Sequence, residues 1–311
     1  MKRTVGTSAE STPGATATAP DLRVYVNGEL VPAGEARISV FDSGLNFADG
    51  VFEGVRVYGG RVFRLEQHVK RLYESANAFE IDIGMSRNEF TSVVLDWLRA
   101  NQVRENFHFR PIVTRGNRFP PRLDPRFCSG GPNIIFVGAS IEPARQSGVR
   151  TIISSVRQIN SAAIDARIKS LNYGNNLLAR LESVRRGADD ALMLDDAGFL
   201  AEASAANLFL VKDGCVLTPW TKACLDGITR RTVMDLATAQ GRAVVERDLS
   251  VTEILNADEV FLTGTGTEIT PVVEVEGRRI GDGAAGAVTL SLQEAYSEVV
   301  RSEGTPIEAV P

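Results

Sequence analysis

GFLAEASAANLFLVKDGCVLTP, residues 198–219, is the stretch that decides the fold class of this chain. Apolar residues fill runs of strand length, and the KDG tripeptide at 212–214 supplies a tight turn between two of them. Asn27-Gly28 marks a second hairpin, because Asn-Gly accepts the positive φ angles of a two-residue turn. Hairpins in both halves of the chain predict an α+β fold rather than a doubly wound parallel sheet.

Other segments carry the apolar spacing of amphipathic helices. The segment 65–79, LEQHVKRLYESANAF, has this spacing, and 227–241, GITRRTVMDLATAQG, ends at a glycine typical of helix C-termini. A further helix is predicted in 86–103, where Ser86 and Glu89 form a capping-box pattern. Strands and helices therefore occur in both halves of the chain.

The 311 residues divide into four predicted parts. Residues 1–20 are rich in Ser, Thr, Ala, Gly and Pro and are expected to form a disordered tail. Residues 21–143 are predicted to form a smaller N-terminal α/β domain, and the polar stretch 144–150 an interdomain linker. Residues 151–311 are predicted to form a larger C-terminal domain.

Composition argues against several classes of function. The net charge of −5 and the pI near 5.3 give no basic surface for nucleic acid, and no apolar run is long enough to span a membrane. The odd and scattered cysteines, Cys128, Cys215 and Cys224, favour a reducing, cytoplasmic location. His68 and His108 lie outside any Cys/His cluster, so no metal site is expected.

Lys169 is the first candidate for chemistry. Only five of the 34 basic residues are lysines, and Lys169 lies in IKSLNYGNNLLA, 168–179, among apolar residues. Partial burial would favour the neutral amine, which is the form that acts as nucleophile or base. Leu177 and Leu178 are expected to anchor the helix behind it. For this segment taken alone, an outward-facing lysine at a helix start is the simpler interpretation.

Two later segments can bind an anion. LDGITR, 225–230, places Ile228 and Thr229 at the start of a helix, where free N–H groups and the helix dipole favour negative charge. TGTGTEITP, 263–271, can present backbone N–H and hydroxyl donors. Each alone is a common turn, but together with a lysine nucleophile they indicate a phosphorylated carbonyl cofactor.

Glu202 is the single acid among the apolar and small residues of 199–211. An acid in such surroundings either faces water or pairs with a buried cation. A protonated pyridine nitrogen would be such a cation. Glu202 is therefore a candidate partner for the ring of the cofactor.

In order and spacing, these segments resemble the class IV, fold-type-IV pyridoxal-phosphate aminotransferases. The resemblance covers nearly the whole chain after about residue 21. Its motifs are FADGVFEGVRVYGGRVFRLEQHVKRL, IKSLNYGNNLLA, GFLAEASAANLFLVKDG, LDGITR and ADEVFLTGTGTEITPV. It implies two α/β domains with the active site at their interface, and pyridoxal 5'-phosphate as the cofactor, bound by the C-terminal domain. It also implies a homodimer, with residues near Phe47 contributed across the interface.

The resemblance implies a role for each matching residue. Lys169 would form the Schiff base with the cofactor and shuttle the substrate proton. Tyr173 would hydrogen-bond the phenolic oxygen of the cofactor, and Glu202 would pair with its pyridine nitrogen. The expected phosphate contacts are Arg71, Ile228, Thr229 and Thr265. The expected substrate contacts are Phe47, Phe52, Arg56, His108, Arg110, Gly266 and Thr267.

The substrate contacts favour the branched-chain branch of the family. Arg110 matches an arginine that helps hold the distal carboxylate of glutamate, and Phe52 would line the pocket for an apolar side chain. Phe47 and His108 depart from the tyrosines usual in that branch. The implied reaction is ping-pong transamination between a hydrophobic L-amino acid and 2-oxoglutarate.

Several alternatives remain open at this stage. In D-amino-acid transaminases an arginine after a TRG motif traps the α-carboxylate, and Arg118 and Arg122 lie near but outside that register. R-selective amine transaminase and aminodeoxychorismate lyase are further candidates. A catalytically idle, cofactor-binding homologue is a candidate from another class, but the presence of Lys169, Arg71 and Glu202 disfavours it.

Overall fold

Two large β-sheets and the helices packed around them make up residues 22–141 and 147–308, the part of the chain that the computed structural model describes. The predicted tail, 1–20, and part of the predicted linker, 144–150, lie outside the described residues. The α+β expectation is confirmed, because antiparallel pairing predominates in both sheets. Among the described residues, no helix has the length and apolar character needed to cross a membrane.

The strands are short, as hairpin-rich sheets require. In chain order the bounds are β1 Arg23–Val26, β2 Glu29–Pro32, β3 Gly50–Phe52, β4 Val55–Tyr58, β5 Arg61–Val62, β6 Phe107–Thr114, β7 Asn117–Arg118, β8 Cys128–Ser129, β9 Asn133–Ser140, β10 Val149–Ile153, β11 Asp190–Leu194, β12 Leu200–Ala203, β13 Asn207–Lys212, β14 Cys215–Thr218, β15 Val244–Glu246, β16 Glu259–Gly264, β17 Glu268–Val275, β18 Arg278–Arg279 and β19 Thr305–Pro306.

The helices predicted in 65–79, 86–103 and 227–241 are confirmed. Their bounds are α1 Ser43–Phe47, α2 Leu65–Ala78, α3 Arg87–Ala100, α4 Gly174–Arg185, α5 Ile228–Ala239, α6 Val251–Leu255 and α7 Ala287–Ser302, and Pro125–Phe127 is a single 3-10 turn. The capping box predicted at Ser86 and Glu89 is confirmed at the start of α3. Two backbone N–H groups at that helix end thereby gain side-chain acceptors.

The first sheet is antiparallel throughout and runs in the order β19-β5-β4-β6-β9-β1-β2, with β3 also paired to β6. Helices α2 and α3 supply apolar side chains to a core on this sheet, which includes Leu72 and Trp97. The β3–β4 end of the sheet carries the segment that later contributes to the site.

The second sheet is mixed and runs in the order β12-β11-β10-β17-β16-β13-β14-β15, with β18 paired to β17. A bridge between Glu202 and Asn207 joins β12 to β13 and so closes six of these strands into a ring. Tyr58 is the last residue of β4 and Phe63 directly follows β5. Both pack with Phe261 and Tyr296 in one apolar cluster. The two sheets therefore share a core instead of being joined only by the chain.

Two expectations about this architecture are corrected. The end of the chain was expected to belong to the C-terminal domain, 151–311, but β19 pairs with β5 of the first sheet and Ile307 is fully buried in the first core. Leu177 and Leu178 do not anchor α4, because they are 58% and 54% exposed. Periodicity identifies an apolar helix face but does not say whether the same chain covers it.

Candidate active site

The backbone of Lys169 is bonded to α2 through its N–H and to β3 through its carbonyl. Its N–H donates to the Ser75 hydroxyl on α2 at 3.1 Å, and its carbonyl accepts the Phe52 N–H at 3.0 Å. The Leu171 N–H donates to the Gly50 carbonyl at 2.9 Å. These bonds hold the segment before α4 against β3, so the lysine stands where the two sheets meet.

The side chain of Lys169 is half-buried and points along an aromatic wall. Its Nζ donates to the Tyr173 hydroxyl at 3.1 Å and lies 4.5 Å from the centroid of the Phe52 ring. The Phe52 and Tyr173 rings meet edge to face at 5.2 Å. Lys169 is therefore partly buried, as expected, and the outward-facing alternative is wrong.

A cavity of about 220 Å³ collects most of the predicted site residues. The predicted residues that line it are Phe52, Arg71, His108, Arg110, Lys169, Tyr173, Glu202, Ile228, Thr229, Thr265, Gly266 and Thr267. Their segments are far apart in sequence and come from both sheets. The cavity is therefore built by the fold and not by any one motif.

One end of the cavity is suited to an anion. Arg71 lines it and lies beside the start of α5, where Gly227 is the N-cap residue. A Cβ on Gly227 would lie 2.0 Å from Asn207 Oδ1, so only glycine allows this close approach. Ile228 and Thr229 begin this helix and line the cavity together with Arg71, and the first N–H groups of a helix favour an anion.

The cavity is also lined by Glu202, which carries a carboxylate. Its Oε1 accepts a hydrogen bond from Gln158 Nε2 at 2.5 Å, and its Oε2 accepts the Leu225 N–H at 3.3 Å. Burial raises the pKa of Glu202 to about 7, although these hydrogen bonds and the charge of Lys169 act in the opposite direction. The group can therefore share a proton near neutral pH with a partner on the cavity side.

His108 occupies the place of the expected tyrosine and is a neutral imidazole. Burial lowers its pKa to about 4, and the positive charges of Arg110 and Arg56 add to this shift. Its Nε2 lies 3.0 Å from where a Cβ on Gly54 would stand, so glycine at that position leaves room for the ring. The cavity thus has a neutral donor–acceptor group where a phenol was expected.

Phe47 and Arg56 are the two predicted substrate contacts that do not line this cavity. The Phe47 ring lies under the Arg118 guanidinium, with 4.9 Å between the ring centroid and Cζ. Arg56 is buried and pairs through Nη1 with Glu268 at 2.5 Å. Arg56 pairs with His108 across β4 and β6, and this places Arg56 beside the cavity. Because Arg56 does not line the cavity, its positive charge acts there only over a distance.

The arginines of the loop after the TRG motif have structural contacts. Arg118 is buried, pairs with Asp49 and donates to the carbonyl of Leu123 at 2.8 Å. Arg122 lies 5.8 Å from the Phe127 ring. Neither lines the cavity described above, so within this chain neither is placed to trap a substrate carboxylate.

Sequence reasoning missed four residues that support the site. Glu53 and His68 form a buried network with Arg71, Ser75 binds the Lys169 backbone, and Gln158 binds Glu202. Only Glu53 left a signal that could have been used, because an acid inside the apolar run VFEGV is costly unless it is paired. The other three become visible only when distant segments are brought together.

The donor set fits pyridoxal 5'-phosphate. An amine, an arginine beside a helix N-terminus, and a buried acid all line the one cavity. These groups match an aldehyde carbon, a phosphate and a pyridine nitrogen in turn.

Comparison with known proteins agrees with this geometry. The family model described as amino-transferase class IV matches residues 50–275. A branched-chain-amino-acid aminotransferase from Pseudomonas aeruginosa is 38% identical over 89% of this chain and 92% of its own length. A D-alanine aminotransferase from Bacillus licheniformis is 32% identical over 91% of this chain and 98% of its own length.

A solved structure resembles this fold over nearly its full length. It is that of a T.th. branched-chain amino acid aminotransferase complexed with N-(5'-phosphopyridoxyl)-L-glutamate. The TM-score is 0.85 and the sequence identity 35%, with 90% of this chain and 94% of that chain covered. The similarity in fold therefore extends over most of this chain.

Proposed function

Because the chain belongs to the class IV aminotransferases, enzymes that use pyridoxal 5'-phosphate, we propose that it transfers the amino group of a branched-chain or other hydrophobic L-amino acid to 2-oxoglutarate. The observation that carries this proposal is the convergence of Lys169, Arg71 and Glu202 on one cavity whose wall also holds Phe52 and Arg110. The relatives named branched-chain aminotransferases support the same substrate class.

When bound, the cofactor supplies the electron sink that makes the substrate Cα–H acidic. Lys169 Nζ would be the base that takes this proton from Cα and delivers it to the aldehyde-derived carbon of the cofactor, and the Tyr173 hydroxyl at 3.1 Å orients the amine. Arg71 and the first N–H groups of α5 bind the phosphate. Glu202 keeps a proton at the pyridine nitrogen, and its raised pKa, about 7, suits a shared proton.

One wall of the cavity suits both substrates of a ping-pong cycle. The Arg110 guanidinium lies over the Phe52 ring, with 4.4 Å between Cζ and the ring centroid. The ring offers an apolar surface to a hydrophobic side chain, and the guanidinium offers donors to the distal carboxylate of 2-oxoglutarate. The same pocket can thus alternate between an apolar donor and a dicarboxylic acceptor.

A donor and acceptor panel tests the proposal. The donors are L- and D-Leu, Val, Ala and Glu and a chiral R-amine, each assayed with 2-oxoglutarate and with pyruvate. We expect L-Leu and L-Val with 2-oxoglutarate to give the highest kcat/KM. Activity with D-Ala but none with L-Leu would overturn the proposal in favour of a D-amino-acid transaminase, the alternative that the D-alanine aminotransferase relative supports.

Arg110→Leu is expected to raise KM for 2-oxoglutarate by about 10- to 100-fold, the effect of losing hydrogen bonds to a charged group. KM for pyruvate should change little, because pyruvate has no distal carboxylate. Steady-state kinetics with L-Leu as the fixed donor measures both values. Arg122→Leu is the matched control, since Arg122 does not line the cavity, and equal losses for both oxo acids would contradict the role given to Arg110.

We also propose that the enzyme is a homodimer and works in the cytoplasm. An exposed apolar face on α4, formed by Leu177, Leu178, Leu181 and Val184, supports a partner subunit. Cys128, Cys215 and Cys224 form no disulfide, which suits a reducing compartment. Light scattering of the purified protein tests the dimer, and a monomeric mass across the assay concentrations would contradict it.

A further inference from the structure

Glu53 is a fully buried acid in the turn between β3 and β4, and the proposed reaction gives it no step. Its Oε1 accepts Arg71 Nε–H at 2.7 Å and its Oε2 accepts Arg71 Nη2–H at 2.9 Å. His68 Nδ1 lies 2.8 Å from Oε2. Three donors therefore converge on one carboxylate behind the arginine that lines the phosphate end of the cavity.

The protonation states fit this arrangement. Burial alone would keep Glu53 neutral, but the charge and hydrogen bonds of Arg71 and the hydrogen bond of His68 hold its pKa below the ordinary range. Burial lowers the pKa of His68, so a neutral ring donates its Nδ1 hydrogen to Glu53. Glu53 is thus an ionised acceptor with three donors, and Arg71 keeps its charge paired without a ligand.

Counting donors shows what Arg71 has left. A guanidinium carries five N–H groups. Glu53 accepts two of them, and the carbonyl of Asp226 accepts one from Nη1 at 2.7 Å. Among the residues that the structure describes, no acceptor takes the remaining N–H on Nη1 or the one on Nη2, and the side chain lines the cavity. Two N–H groups on the terminal nitrogens are what arginine needs to bind two oxygens of a phosphate.

The same short segment also determines where Lys169 stands. The N–H of Phe52 donates to the Lys169 carbonyl, and the N–H of the next residue, Glu53, donates to the Pro111 carbonyl at 3.0 Å. Helix α2 carries both Arg71 and Ser75, and Ser75 accepts the Lys169 N–H. Two adjacent residues and one helix therefore fix both the lysine and the arginine.

We propose that Glu53 is a positioning residue that aims the free edge of Arg71 at the phosphate group of the cofactor. The inference rests on the proposed function of this cavity, since it assigns the anion to pyridoxal 5'-phosphate. Glu53 does not line the cavity, so it would act on the cofactor only through Arg71. Its removal should therefore affect ligands that carry the phosphate and spare those that lack it.

The test compares two aldehydes that differ only in the phosphate. Absorbance titration of the cofactor-free protein in phosphate-free buffer measures Kd for pyridoxal 5'-phosphate and for pyridoxal. In Glu53→Gln, we expect Kd for pyridoxal 5'-phosphate to rise about 10- to 100-fold, as for loss of hydrogen bonds to a charged group. Kd for pyridoxal should stay near the wild-type value, because both aldehydes react with the same Lys169.

A double-mutant cycle covers the case in which Glu53→Gln alone folds poorly. In an Arg71→Gln background, the second change to Glu53→Gln leaves no unpaired charge buried, so the double variant can fold where a single one does not. If Glu53 acts through Arg71, the second change should alter Kd for pyridoxal 5'-phosphate little in that background. Glu66→Gln, an exposed acid on α2, is the matched control.

The outcomes separate this inference from the function beneath it. Selective weakening of the phosphorylated aldehyde, lost in the Arg71→Gln background, supports the positioning role. Equal weakening of both aldehydes, unchanged or tighter binding of pyridoxal 5'-phosphate, or the same loss in both backgrounds overturns it while the proposed transamination stands. A wild-type protein that binds neither aldehyde overturns both.

Discussion

Lys169→Ala is expected to lower kcat for transamination by about 10⁴-fold, the upper range for loss of a positioned proton-transfer group. Within the described part of the chain, Lys169 is the lysine that lines the cavity. Alanine keeps the peptide N–H that donates to Ser75 and the carbonyl that accepts from Phe52. The segment before α4 should therefore stay in place, and the loss should come from the chemistry.

The measurement is single-turnover and steady-state conversion of L-Leu with 2-oxoglutarate, at cofactor concentrations that saturate the variant. Borohydride treatment of the wild type should attach the cofactor to the peptide that contains Lys169, and the variant should lack this label. Lys212→Ala is the matched control, because Lys212 lies on a hairpin and pairs with Asp258. Near-normal turnover in Lys169→Ala would show that another group moves the proton.

Local signals predicted the elements of this fold well. Asn27 and Gly28 both adopt positive φ, 49° and 97°, as an Asn-Gly turn requires. Ser86 and Glu89 form the complete capping box. Such features depend on a few neighbouring residues, so the sequence contains all the information needed to predict them.

Features that depend on distant segments were not predictable in the same way. Strand β19 has two residues, too few for a periodic pattern, and its place is set by pairing with β5. The apolar face of α4 was recognised, but its exposure depends on what the rest of the chain fails to cover. Apolar spacing shows that a helix has an apolar face, but it does not show what packs against that face.

The site shows the same division. Lys169, Arg71 and Glu202 were identified because their motifs occur in the order of a known family, and the structure brings all three to one cavity. Phe47 and Arg56 have matching motifs, yet they face other partners in this chain. A motif fixes residue type and local backbone, whereas the direction of a side chain depends on charges and rings from other elements.

Glu202→Gln is expected to lower kcat by about 10²- to 10³-fold, the usual cost of removing one preorganised electrostatic group. The two side chains have nearly the same shape, and the glutamine oxygen can still accept from Gln158 or from the Leu225 N–H. What is lost is the charge that keeps a proton at the pyridine nitrogen. Turnover of L-Leu with 2-oxoglutarate measures this, with the exposed Glu298→Gln as control.

The same substitution should stabilise the cofactor-free protein at alkaline pH. Burial raises the pKa of Glu202 from 4.5 to about 7, so the native state holds a proton that the unfolded state releases in this range. The contribution of this proton to the free energy of unfolding is fully present below pH 4.5 and is lost as the pH rises through 7. At pH 8 the variant should gain up to about 3 kcal/mol over the wild type, and the gain should vanish near pH 4.5.

These two effects have opposite signs, and that contrast assigns Glu202 its role. Replacing a residue whose role is structural would lower both the stability and the turnover of the protein. A buried acid whose role is to pair with a charged ring nitrogen should lower the stability of the cofactor-free protein, because its charge has no opposite partner until the cofactor binds. Denaturant unfolding of the cofactor-free protein at pH 5 and pH 8, beside kcat, measures both; a variant less stable than the wild type at pH 8 would make Glu202 a structural residue.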